Sequence, residues 1–183
     1  MSEGKWLVVG LLSMACLMGG AAVWYQRAQS RPVLEHWGTS ETRAIETAER
    51  VELIWLSSAK MASDGAAKIG NVWYESSVPV AVGSTPGFSH LRNALLENIS
   101  YQWTAPLPTD VHWEFGLDFV QEKQTVRLIF APQEKLIAIG DGSRAVVMGP
   151  IIGRIEEYLR GAASETADDA ESNERNLVPG ESK

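Results

Sequence analysis

From Trp6 to Tyr25 the chain runs for twenty residues without Asp, Glu, Lys or Arg. The hydrocarbon core of a bilayer is spanned by about 20 apolar residues in a helix. Trp6 at one end and Trp24-Tyr25 at the other stand where an aromatic belt lies. The pattern predicts a transmembrane anchor over 6–25, with a flank at 1–5. A cleaved signal has a shorter apolar core, about 7–15 residues. Lys5 and Gly20-Ala21-Ala22 imitate its two ends, but aromatic residues follow the small ones directly. The expectation is therefore an uncleaved single-pass anchor.

Residues 26–38 read as an exit linker, because Pro32 argues against one helix running through them. Thr39 or Ser40 is then placed to cap a helix starting near Glu41, with Ala44, Ile45 and Ala48 on its apolar face. At Val51 the period changes. Val51, Leu53 and Trp55 alternate with their neighbours, predicting a strand over 51–57; one long helix to Met61 is the alternative. Asn71–Ser76 reads as a further strand. Val78, Val80 and Val82 continue as an edge or extended loop because of Pro79. Phe88, Leu91, Leu95 and Ile99 recur at helical spacing, predicting an amphipathic helix over 86–98 opened by Thr85-Pro86.

The strongest pattern follows. Val111, Trp113, Phe115, Leu117 and Phe119 alternate with His112, Glu114, Gly116 and Asp118. After a turn at Glu122-Lys123, Val126, Leu128 and Phe130 alternate again. A two-residue turn pairs Phe119 with Val126, Leu117 with Leu128, Phe115 with Phe130, and Asp118 with Arg127. Apolar meets apolar and acid meets base, and a one-residue slip would turn every side chain to the other face. Strands over 136–140 and 144–148, joined at Asp141-Gly142, complete an antiparallel meander. Ile151, Ile152, Ile155, Tyr158 and Leu159 predict a last helix to about Gly161. The tail, 162–183, holds six acids against Arg175 and Lys183 and almost no large apolar residue, so disorder is expected. The fold class is α+β: one domain, 39–161, an antiparallel β-meander covered by amphipathic helices.

The formal net charge of −7 owes −4 to that tail. No basic patch is present, so nucleic acid is not an expected partner. The only cysteine, Cys16, lies in the anchor, so the domain has neither disulfide nor thiol nucleophile. Ser13 rather than Leu precedes Cys16 by three residues, against a lipid-modified cysteine. Lys5 on one side and Arg27 and Arg31 on the other leave the positive-inside count nearly tied. The signal-like placement of the apolar run favours a domain outside the cytoplasm.

Candidate chemistry is sparse. His112, Glu114 and Asp118 share the polar face of one strand. Spaced at about 6–7 Å along it, they converge on no metal, and a solvated face explains them. His90 and Asp110 are further acid–base candidates without a spacing that joins them. No metal and no cofactor is expected. Tyr101 and Trp103, in a loop, are candidates for stacking a sugar or lipid. Val120, Ile129, Leu136, Val146 and Met148 form a second apolar set opposite the core face, a candidate protein interface if uncovered. The function these features favour is a membrane-anchored, non-enzymatic accessory or interaction protein, whose partners are the bilayer and another protein. The alternatives are an anchored hydrolase or metal-dependent enzyme, and an exported module binding cell-wall sugar or lipid.

Overall fold

A sharply curled antiparallel sheet organises the domain. The computed structural model describes the backbone of residues 3–61, 65–121 and 124–177, with side chains at 10–21, 31–61, 65–121 and 124–166. The strands are β1 (Arg50–Ala59), β2 (Ala67–Ile69), β3 (Val72–Ser76), β4 (Val80–Ala81), β5 (Tyr101–Gln102), β6 (Phe115–Gln121), β7 (Gln124–Ala131), β8 (Leu136–Ile139) and β9 (Val146–Met148). The helices are α1 (Glu3–Trp37), α2 (Thr39–Thr47), α3 (Phe88–Leu96) and α4 (Ile151–Leu177), with a 3-10 turn at Asn98–Ser100. The nine strands run in the order β2-β3-β1-β6-β7-β8-β9-β5, with β4 beside β1.

The central hairpin has the register that alternation dictates. Phe115 faces Phe130, Leu117 faces Leu128, Phe119 faces Val126 and Asp118 faces Arg127. Gln121 pairs with Gln124; the turn at 122–123 lies outside the described residues. Phe115 and Phe130 stack with centroids 4.8 Å apart. Asp118 accepts from Arg127 Nε and Nη2 at 2.6 and 2.7 Å, and this bidentate geometry holds the Arg127 guanidinium charged above its ordinary value. The Arg127 stem crosses Gly140, where an added Cβ would stand 3.0 Å from Arg127 Cβ.

Two cores lie on the two faces of the sheet. The larger holds Leu53, Phe115, Leu117, Phe119, Leu128 and Phe130 under Ile45, Leu91, Leu95, Ile155 and Leu159 from the helices. Each such side chain contributes about 1.5–3 kcal/mol by leaving water. The smaller holds Ile54, Leu56, Ile69, Tyr74, Trp113, Ile129, Ala131, Leu136 and Ala138. It closes because β1 is long enough to serve two partners. Residues 50–55 pair with β6, and residues 56–59 pair with β3, which carries the β2–β3 hairpin over the back of the meander.

Several expectations are corrected. The linker at 26–38 is instead the end of α1, which passes through Pro32 unbroken. Proline removes one helical N–H, but the last turn buries Val33 and Trp37 completely, and that packing outweighs the loss. The cap of α2 is Gly38 at φ 95, not Thr39 or Ser40. The cap of α3 is Gly87 at φ 88; Thr85 Oγ1 donates to the Val82 carbonyl instead. Ile99 falls past the end of α3 and is 88% exposed. Residues 111–114 precede β6 rather than opening it, which turns Trp113 into the smaller core. The tail is helical to Leu177 as a continuation of α4, with Ala162 buried; residues 178–183 lie outside the described ones.

Candidate functional site

Among the described residues, polar and aromatic side chains gather at the joint between α1 and the domain and at a cleft on the smaller core.

At the joint the sequence brings four aromatic rings together. His36 lies edge-on to Trp37 at 4.6 Å between centroids and 5.2 Å from Trp103. Tyr101 lies 5.9 Å from Trp37 and 4.8 Å from Trp103. Tyr101 is buried and donates its hydroxyl proton to the Leu95 carbonyl at 2.5 Å. Burial raises its pKa above the ordinary tyrosine value, with the Trp37 side chain acting against that rise. Trp103 Nε1 donates to Asn98 Oδ1 at 2.5 Å. Tyr101 and Trp103 therefore pack α1 to the sheet edge, Tyr101 buried and Trp103 with part of its surface exposed. Burial leaves the Tyr101 ring no open face on which to stack a sugar or lipid.

Arg144 locks the same joint. It sits at φ 50 after the β8–β9 turn. Its carbonyl accepts from His36 Nε2 at 2.6 Å, and its Nη1 donates to the Trp37 carbonyl at the end of α1. Its guanidinium also stands 3.7 Å from Glu41. A cation at a helix C-terminus satisfies carbonyls that have no partner in the helix. Arg92 does the same for α2, donating to the carbonyls of Glu46 and Ala48 at 2.9 Å each. The pattern of apolar residues carries no signal for either arginine.

Beyond the joint, the described side chains of α1 at 10–21 are uncovered. Every described side chain from residue 10 to 21 is exposed, among them Leu11, Leu12, Met14, Leu17 and Met18 at 63–74%. Nothing stands within 4 Å of a Cβ added at Gly10, Gly19 or Gly20. Among the described residues no helix is long and apolar enough to cross a membrane.

The cleft, about 600 Å³, opens between the β2–β3 turn, the loop 107–113 and the turns flanking β8. Asp110, His112 and Glu134 line it. The His112 ring stands 6.2 Å from that of Tyr74, whose hydroxyl receives the Trp113 N–H at 3.3 Å. Glu134 Oε2 is buried and has no hydrogen-bond partner among the described residues.

The other candidates disperse. Glu114 points towards α4, where Oε2 stands 3.8 Å from Arg160, itself 4.7 Å over the Trp55 ring. Asp118 is committed to Arg127. His90 is exposed in a separate, largely apolar groove between α3 and α4, beside Arg154 and Tyr158. Among the described residues no three of His, Cys, Asp and Glu form a group able to hold a metal ion. Of the apolar interface set, Ile129 and Leu136 are buried in the smaller core and Val146 and Met148 in the larger, while Val120 is half-buried at the end of β6. The exposed patch they were expected to form is absent, because the sheet curls over its own back. No protein-family model, no curated protein and no solved structure matches the chain.

Proposed function

We propose that this is a membrane-anchored, non-enzymatic accessory protein, whose domain is held at the bilayer surface to engage another protein. The observation that carries the anchor is the contrast within α1. Its last turn is core, while the described part of its apolar run, 10–21, is exposed throughout. A helix apolar on all sides is stable where another apolar phase surrounds it. The run Trp6–Tyr25 matches a bilayer core in length.

The joint sets the geometry of such an anchor. Val33, the first buried side chain among the described residues, lies eight positions after Tyr25. At about 1.5 Å per residue that is roughly 12 Å of helix, which brings the domain to the headgroups. The domain lies outside the cytoplasm in this reading. Digestion of intact and lysed cells with a non-permeant protease tests the side. Of the acid–base candidates, Glu114 and His90 stand apart from the cleft that Asp110 and His112 share, and among the described residues no three of His, Cys, Asp and Glu gather to hold a metal ion, which supports an interaction role over a metal-dependent one.

Flotation with phosphatidylcholine liposomes tests the anchor. The full chain floats with the vesicles, and a variant carrying Leu11→Lys, Leu12→Lys and Leu17→Lys stays at the bottom. Equal recovery of both from the bottom fraction refutes it.

A further inference from the structure

We propose that the cleft on the smaller core binds an extended peptide segment of the partner protein and seats a lysine or arginine side chain against Glu134 and Asp110. This rests on the interaction reading and names the chemistry of the partner.

Three independent features of the cleft point the same way. The first is the orphaned acceptor. Glu134 Oε2 is withdrawn from water and meets no donor among the described residues, although Glu134 lines an open cleft. Proteins satisfy buried carboxylate oxygens, so a ligand that supplies N–H donors once the Glu134 carboxylate turns to the cleft is favoured there. Glu134 is held in place by the turn before β8, where Lys135 adopts φ 56 and its N–H bonds the Pro132 carbonyl at 3.2 Å.

The second is charge. The titratable residues of the lining are Asp110, Glu134 and His112, with neither Lys nor Arg. A guanidinium or ammonium group meets complementary charge, and an acidic group meets repulsion.

The third is shape. Ile69 and Trp113 give apolar walls, and Val72 and Leu107 stand exposed at 41% and 51%. Such walls suit the alkyl stem of a basic residue and an apolar neighbour. β2 ends the path of the sheet, and its outer edge pairs with no other described strand. Ile69 and Gly70, at the end of that strand, line the cleft. An extended backbone laid along this edge gains hydrogen bonds that a free amine cannot make. Gly142, at φ 82, closes one end: a Cβ there would stand 3.0 Å from Ile69 Cγ2.

The test uses the purified full-length chain in a neutral detergent and two acetylated hexapeptides, one alternating valine with arginine and one alternating valine with glutamate. Calorimetric titration reads the affinity. The arginine peptide binds with a Kd on the order of 10–100 μM and the glutamate peptide binds at least tenfold more weakly. Glu134→Gln keeps the shape and removes the charge, and weakens the arginine peptide about tenfold or more. Asp110 is exposed in its loop, so Asp110→Asn leaves folding intact and provides the second variant, with a loss of about threefold. Equal binding of the two peptides, an unchanged affinity in both variants, or no binding of the arginine peptide at 1 mM overturns the proposal. The titration needs neither membrane nor native partner. Its failure therefore leaves the anchored interaction reading standing, and failure of liposome flotation leaves the cleft result intact.

Discussion

Trp37→Ala tests whether α1 is built into the domain or merely attached to it. Trp37 is 0% exposed and lies in the larger core, against His36 and Tyr101. Truncating a buried tryptophan to alanine costs about 3–5 kcal/mol, part transfer and part cavity. Collapse of the cavity is resisted here because Arg144 pins the Trp37 carbonyl and Gly38 pins the entry to α2. The upper half of that range therefore applies, against a total of about 5–15 kcal/mol for an ordinary domain. For a domain of this size the loss is roughly 10–20 °C in Tm. Near-UV circular dichroism of the full chain in detergent follows the melt. Limited proteolysis adds a local readout: residues 31–38 resist cleavage in the parent and are cut in the variant. Trp37→Phe keeps most of the buried area and loses less than half as much. A shift of only a few degrees in Trp37→Ala, with the joint still resistant, refutes the claim that the end of α1 is structural core.

Other consequences follow from single contacts. Gly38→Ala places a Cβ at φ 95, a conformation L-residues avoid, and costs about 1–3 kcal/mol in urea unfolding. Asp118→Ala strands Arg127 and costs about 2–4 kcal/mol, below the fully buried case because Arg127 is a third exposed and recovers some water. Gly140→Ala drives a methyl into the Arg127 stem and costs about 1–3 kcal/mol, while Gly140→Ala with Arg127→Ala together recover part of it. Hydrogen bonds from the Ser143 side chain and backbone depress the Asp141 pKa in the folded state. Its contribution is therefore present above the unfolded value, about 3.9, and is lost as pH falls through the lower folded value. Asp141→Asn removes that part of the acid dependence of Tm, an effect kept small by the exposure of the turn.

The sequence is most legible where two independent patterns agree. In β6 and β7 alternation sets the faces, and the Asp118–Arg127 pair fixes the register, so the central hairpin follows from residues alone. It is least legible where one element serves two layers. Ile54 and Leu56 belong to the same strand as Leu53, yet face a core that exists only after β1 has bent into its second partnership. Without that bend Ile129 and Leu136 read as an exposed patch. Pro32 misleads for a related reason: its local penalty is real, but burial of Val33 and Trp37 on either side of His36 is a tertiary gain that no local rule contains. The charged and alanine-rich residues after Gly161 hide the continuation of α4, since their helix propensity was outweighed in the pattern by their lack of large apolar groups. The cleft is silent in the sequence because its walls come from separate turns and a loop far apart in the chain. The nearest signal is the pair Asp110 and His112, of which only the residue types were visible.

The central claim is an anchored protein that works through a partner, and the native mass of the full-length chain in mild detergent tests it most directly. The account predicts a particle heavier than one 20.0 kDa chain with its micelle, containing a second, different protein. A lone chain in its micelle, or an assembly made only of copies of this chain, contradicts it.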